Sequence, residues 1–191
     1  MILPIIAYGD AVLKKKAEEI KKSYPDLSEI IANMFDTMYS AKGVGLAAPQ
    51  IGFSIRLFVV DAAPFAEDDE MLKNFKRVFI NAQLVKEDGA KWKFNEGCLS
   101  IPGVREDVFR KPEIEIEFQD ENFVKHKEKF VGTAARIIQH EYDHIEGVLF
   151  TDRISAMRRQ LIRGSLKNIS TGDVKVDYKM RFPMKKGSAV K

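Results

Sequence analysis

Two of the chain's three histidines, His140 and His144, stand four residues apart in the stretch Gln139–Phe150, which reads QHEYDHIEGVLF. On a helix, positions i and i+4 lie one above the other, so both imidazoles can reach a single metal ion. Glu141 sits at the neighbouring edge, where a carboxylate can take up and return the proton of a water beside that metal. Ile137, Ile138, Tyr142 and Ile145 mark the same helix as largely buried. The remaining histidine, His126, falls in a charged hairpin and reads as an ordinary solvated side chain.

A histidine pair with a glutamate between them invites comparison with zinc peptidases, which place a third ligand further along the chain. Here the position for a third histidine is Phe150, no histidine follows His144, and Glu146 is the last glutamate. The third ligand must come from upstream. Cys98 is the best candidate, a soft thiolate completing a Cys-His-His set. Three protein ligands leave one position open, as in catalytic rather than structural metal sites. Cys98 is the only cysteine, so no internal disulfide can form. Its competing use is as a small buried hydrophobe, but Gly97, Ser100 and Pro102 beside it favour an irregular, accessible segment.

The elements that must position these residues are legible in outline. Asp10 caps a short helical stretch expected to run through Lys22. Leu27, Ile30, Ile31, Met34, Phe35 and Met38 form the one-sided stripe of a core-facing helix. Gly43–Gly52, with three glycines and a proline, predicts a loop without regular structure. It presents one polar side chain, Gln50, and lacks the spacing of a phosphate loop. Strands are expected at Ile55–Asp61, Arg77–Val85, Lys91–Phe94 and Glu113–Gln119, the last pairing with Phe123–Phe130. Ala62–Asn74 reads as a surface loop. Asp152 caps a final helix, Arg153–Asn168, with a packing stripe of Ile154, Met157, Leu161, Ile162 and Leu166. An extended tail over Val174–Arg181 leads to a terminus expected to be mobile.

At 191 residues, 45% apolar and 31% charged, the chain suits one globular domain, and a net charge of +3 does not by itself argue for nucleic acid. The N-terminus has basic residues after its apolar run rather than before it, the wrong order for a secretion signal. No apolar run approaches the roughly 18–20 residues needed to span a bilayer. A cytoplasmic protein without membrane contact is expected.

Three blocks, GVGLAAPQIG at 43–52, EGCLSIP at 96–102 and QHEYDHIEG at 139–147, occur in the order found in peptide deformylases. With ILPIIAYGD at the N-terminus, the chain resembles that family over about residues 1–165. The resemblance implies an α+β fold, antiparallel or mixed sheets packed around a central metal-binding HExxH helix, with a C-terminal helix. It implies a catalytic domain over 1–168 followed by a tail, 169–191, that departs from members ending in a helix. It further implies removal of the N-formyl group from the initiator methionine of nascent chains. Cys98, His140 and His144 would bind the metal, Fe²⁺ foremost, with Zn²⁺, Ni²⁺ or Co²⁺ as alternatives. Glu141 would be general base and then acid, and the Gln50 amide and Leu99 N–H would be donors to the formyl oxygen. The backbone of Val44, Gly45 and Gly97 would pair with an extended peptide. Ile137 would line the methionine pocket, with Arg105 at its rim.

Arg136, where members of the family often carry an apolar residue, is expected to reach outward to solvent. Glu96 and Asp143 are candidates to fix the ligands or loops from behind. Arg153, Arg158, Arg159, Arg163 and Lys167 give the last helix a basic face with no acid in its span, either a solvated surface or a contact for ribosomal RNA. Two other functions stay open from the residues alone: a metallopeptidase cutting internal bonds, and a non-catalytic, metal-stabilised RNA-binding module.

Overall fold

An apolar run without alternation, such as Leu57-Phe58-Val59-Val60, needs cover on both faces. In the computed structural model, which describes residues 1–183, it forms β3 (Leu57–Asp61) near the middle of the molecule. β3 lies between β2 (Gly45–Ala47) and β4 (Lys76–Asp88). Beyond β4 come β7 (Glu113–Gln119) and β8 (Lys125–Val131), giving a five-stranded antiparallel sheet with β2 at one edge. Phe58 and Val60 cluster with Ile137 and Ile138 of α2 (Gly132–Ile145), together with Phe79, Phe118 and Phe130. Leu57 and Val59 cluster instead with Ile30, Ile31, Met34 and Met38 of α1 (Leu27–Ser40), the helix its apolar stripe predicted.

β5 (Trp92–Cys98) and β6 (Ile101–Arg110) form a separate antiparallel ribbon. The side of α2 turned away from the large sheet meets this ribbon, so the helix bearing His140 and His144 is held between two β layers. A third cluster, with Ile6, Leu13, Ile101, Val108, Phe150 and Leu166, joins the ribbon to the N-terminal segment and the C-terminal helices. Those helices are α3 (Ala156–Leu161) and α4 (Arg163–Thr171). Last, β9 (Met180–Arg181) pairs in parallel with β1 (Ile5–Ile6).

Several expectations need correction. Pro102 and Gly103 hid β6. They fall in an irregularity where Cys98 opposes Ile101 but Gly97 already opposes Arg105, so the ladder skips them. The Gly43–Gly52 loop contains one turn of 3-10 helix, Ala48–Ile51, and its Gly45–Ala47 portion is the edge strand β2. The helix capped by Asp10 stops at Lys14. Beyond it the backbone N–H groups of Ala17 and Glu18 donate to Ile145 and Ser54 instead. The single helix over 153–168 is two, broken at Ile162 close to Gly164, and its N-cap is Ser155, which accepts from Arg158 N–H at 3.2 Å. Asp152 instead accepts from Leu149 N–H at 2.8 Å. With the break, Met157 and Leu161 of the expected packing stripe stay exposed, while Leu166 and Ile169 are buried. The terminus expected to be mobile, from residue 184, lies outside the described residues.

Candidate metal centre and substrate cleft

β5 ends at Cys98, and a tight turn through Leu99 and Ser100 brings the chain back as β6. That turn faces the C-terminal half of α2. The Cys98 Sγ lies 3.2 Å from His144 Nε2, and donor atoms of Cys98, His140 and His144 all fall within 4.8 Å of one another. Sulfur and imidazole nitrogen bound to one tetrahedral ion, at about 2.3 and 2.0–2.1 Å, would stand ~3.5 Å apart. The donor set therefore fits a single cation of the borderline-soft kind. His140 Nδ1 faces Glu96 Oε2 at 3.0 Å, leaving Nε2 as its free nitrogen, the arrangement a carboxylate-oriented metal ligand needs.

Behind the donors is a buried charge network. Arg110 grips Glu96 with two hydrogen bonds, 2.7 and 2.9 Å, and reaches Asp143 at 2.7 Å. Arg136 donates to Glu96 at 2.9 Å and to the carbonyls of Val108 and Trp92, also at 2.9 Å. Arg153 closes on both oxygens of Asp143. Glu96 and Asp143 thus brace the ligand helix against the ribbon. Arg136 does not reach solvent. It is 2% exposed, stacked beside Trp92 and Phe94, because the ribbon covers its face of α2 and supplies acceptors there. Sequence reasoning missed Arg110 altogether. The signal was available in parity, since Val104 and Val108 fix the buried side of β6 and residue 110 shares it.

Electrostatics follow from this packing. Burial raises the pKa of Glu96, but Arg110 and His140 outweigh it and hold the carboxyl well below the usual range. Burial opposes charge on His140, yet Cys98 and Glu96 beside it raise its pKa well above the ordinary value. His144 is pushed well below, by burial first and then by the His140 and Arg110 charges. Glu141 is buried, and its Oε2 has no hydrogen-bond partner among the described residues. Burial pushes its pKa up to about 7, with His140 pulling the other way and Glu96 and Asp143 adding to the rise.

Around these groups opens a cleft of about 600 Å³ that also takes in Gln50, Val44, Gly45, Gly97, Arg105 and Ile137. Gln50 is buried and its amide has a fixed sense. Oε1 accepts from Ala47 N–H at 2.8 Å, which turns Nε2 toward Cys98 Sγ and Ser100 Oγ, both at 3.4 Å. Gly45 passes so close to Glu141 that a Cβ there would collide with the carboxylate, and one at Gly97 would meet the Arg105 guanidinium. The carbonyl of Val44 is already used by Asp61 N–H at 2.9 Å. Arg105 is held over the ribbon by Asn95, through its side-chain oxygen at 2.9 Å and its carbonyl at 2.6 Å. Of the residues expected at the site, all but His144 line this one cleft, and the fully buried His144 meets it from behind through Cys98. His126 stands apart from it, bonded to Asp120 at 3.0 Å.

A cysteine sulfur and two imidazoles converging beside a buried carboxyl, under a cleft edged by a free strand, describe a metal-dependent hydrolase. The family model for polypeptide deformylase matches residues 2–160. A peptide deformylase of Christiangramia forsetii is 60% identical over 96% of this chain and 97% of that protein. One of Flavobacterium psychrophilum is 58% identical over 97% and 100%. Among solved structures, a peptide deformylase from Legionella pneumophila superposes with a TM-score of 0.78 at 35% identity, covering 91% of this chain and 98% of that one. The chain belongs to the peptide deformylase family, metal-dependent hydrolases that remove the N-formyl group from nascent peptides.

Proposed function

We propose that Cys98, His140 and His144 hold one divalent cation, Fe²⁺ by preference, and that Glu141 is the proton carrier of deformylation. The cation would supply Lewis acidity, polarising the formyl carbonyl and acidifying water at neutral pH. Glu141 accepts a proton from the water that adds to the formyl carbon. It then returns that proton to the methionine nitrogen as the C–N bond breaks, releasing formate and a free amine. A buried carboxyl with an unpartnered oxygen can take up and return a proton in both directions. As the carbonyl oxygen gains charge, the Gln50 Nε2–H and the backbone N–H of Leu99 donate to it. Gln50 cannot turn its oxygen inward without losing the Ala47 hydrogen bond.

The edge strand β2 and the Gly97 backbone are suited to pair with the peptide as an added strand. Ile137, 7% exposed, lines the pocket for the methionine side chain, with Arg105 at the rim. Residues 1–168 carry this chemistry. Among the described residues no helix is long and apolar enough to cross a membrane. The single thiol suits a reducing cytoplasm, which we take as the site of action.

The observation that carries the mechanism is the buried Glu141 carboxyl, with an unpartnered oxygen, beside His140 of the three converged donors. Formate release from formyl-Met-Ala-Ser by Fe²⁺-loaded protein prepared without oxygen tests it, beside Glu141→Ala. Activity in the parent and its loss in a variant that still holds metal is expected. Release by a metal-loaded Glu141→Ala at the parent rate would remove the glutamate from the mechanism.

For contact with ribosomal RNA the basic face is narrower than its sequence suggested. Arg158 is clamped on Glu106 by two bonds of 2.8 Å, Arg159 binds the carbonyls of Thr151 and Asp152, and Arg153 is held by Asp143. The exposed Arg163 and Lys167 are the cations we propose for this role. Ribosome co-sedimentation should weaken with salt and with Arg163→Glu, and indifference to both would exclude the contact.

A further inference from the structure

Beyond α4 the chain turns back across the molecule, and Lys175–Tyr178 lines the same cleft as Cys98, Glu141 and Val44. This segment is fastened along its length. On one side of it Val174 packs on the cluster beneath the ribbon, and on the other Met180 and Phe182 do the same. Ile5 and Ala7 donate their N–H groups to the carbonyls of Lys179 and Arg181, each at 2.9 Å. Between these anchors the Tyr178 hydroxyl donates to the carbonyl of Leu99 at 2.8 Å, and Asp177 pairs with Lys42 at 2.9 Å. Lys42 immediately precedes the Gly43–Gly45 edge. The segment therefore ties the turn after Cys98 to the lip in front of β2. The match to the family model ends at residue 160, before any of it.

The charges at this end of the cleft are unequal. Lys42, Arg105 and Lys175 stand on the outer rim with a single carboxylate, Asp177, which Lys42 already engages. Arg105 is bonded to Asn95, and Lys175 is exposed and forms no ion pair with any described residue. The other acids of the cleft, Glu96 and Glu141, lie deep beside the metal donors. We infer that Lys175–Tyr178 is the outer wall of the peptide-binding cleft, meeting the substrate beyond its formyl-methionine and, through Lys175, favouring acidic over basic side chains there. The inference rests on the proposed path of the peptide along β2.

The test compares kcat/KM for formyl-Met-Asp-Ser, formyl-Met-Lys-Ser and formyl-Met amide in the metal-loaded parent, Lys175→Glu and Asp177→Asn. Both substitutions are at exposed positions. An exposed charge acting across such a rim should give the parent about a threefold preference for Asp over Lys, weakening at high salt. Lys175→Glu should reverse the preference and Asp177→Asn should increase it, while formyl-Met amide is turned over alike by all three proteins. The same Asp-to-Lys ratio in the parent and both variants would overturn the inference. So would an equal loss on all three substrates, which would mean that the segment acts through the fold and not on the peptide. Failure of the parent to release formate from any of them would instead strike the deformylase mechanism itself.

Discussion

Arg110 is 4% exposed and stands between two buried carboxylates, so replacing it with methionine removes a cation while largely keeping the volume. Taking one partner from a buried ion pair costs about 3–5 kcal/mol, because the remaining charge is stranded. Here Glu96 would keep Arg136 and His140, and Asp143 would keep Arg153, which points to the lower end. A loss of about 3 kcal/mol is expected, or roughly 6–12 °C in Tm for a chain of this size. Metal-free protein should be unfolded with urea and with heat, followed by circular dichroism, so that metal binding does not enter the result. The double variant Arg110→Met/Glu96→Gln separates charge from packing. With the Glu96 charge gone as well, its loss should be at least about 1 kcal/mol smaller than the sum of the single losses.

The same network gives a pH signature. Its partners hold the Glu96 carboxyl below its unfolded value, so its share of stability is complete above a pH of about 4.3. That share is lost as pH falls through the lower, folded pKa. Acid should therefore destabilise the parent more steeply than Glu96→Gln. A cost below 1 kcal/mol for Arg110→Met, or strict additivity of the pair, would refute the reasoning.

Gln50→Leu removes a donor that is held in one sense, and kcat should fall on the order of 10²–10³-fold with metal content unchanged. Normal turnover with the metal in place would exclude the amide from the site. Gly45→Ala puts a methyl group against the Glu141 carboxylate, so formate release should drop at least tenfold while the thermal midpoint moves only a few degrees. A chelator should silence the enzyme without unfolding it, since the two apolar clusters on either face of the large sheet contain none of the donors. Unchanged far-ultraviolet circular dichroism alongside lost activity would show this, and cooperative unfolding on chelation would contradict it.

Much of the site could be read from residue types. His140, Glu141 and His144 share a helix whose periodicity is strong, and the exclusion of downstream ligands led to Cys98. The supporting charges were harder to read, because their partners are set by tertiary contact. Arg136 looked like a surface cation only while the ribbon above α2 was unknown, and the ribbon was hidden by Pro102 and Gly103. The break between α3 and α4 is equally illegible, since the apolar stripe runs through Ile162 without interruption. Sheet order and the return of the tail to β1 depend on contacts between residues far apart in sequence, which local pattern does not encode.

The parallel pair of β1 and β9 has a kinetic consequence. Ile5 can find Met180 only after nearly the whole chain is in place, so the loop this contact closes is among the longest available and carries a high entropic cost. Two-residue strands are also the kind of element that opens well below the free energy of global unfolding. The cleft is thus completed late in folding and can shed its outermost side below the free energy of global unfolding. Amide exchange at Ile5 and Ala7, whose N–H groups bond to Lys179 and Arg181, would report the frequency of that opening and set an upper bound on how long a peptide stays enclosed.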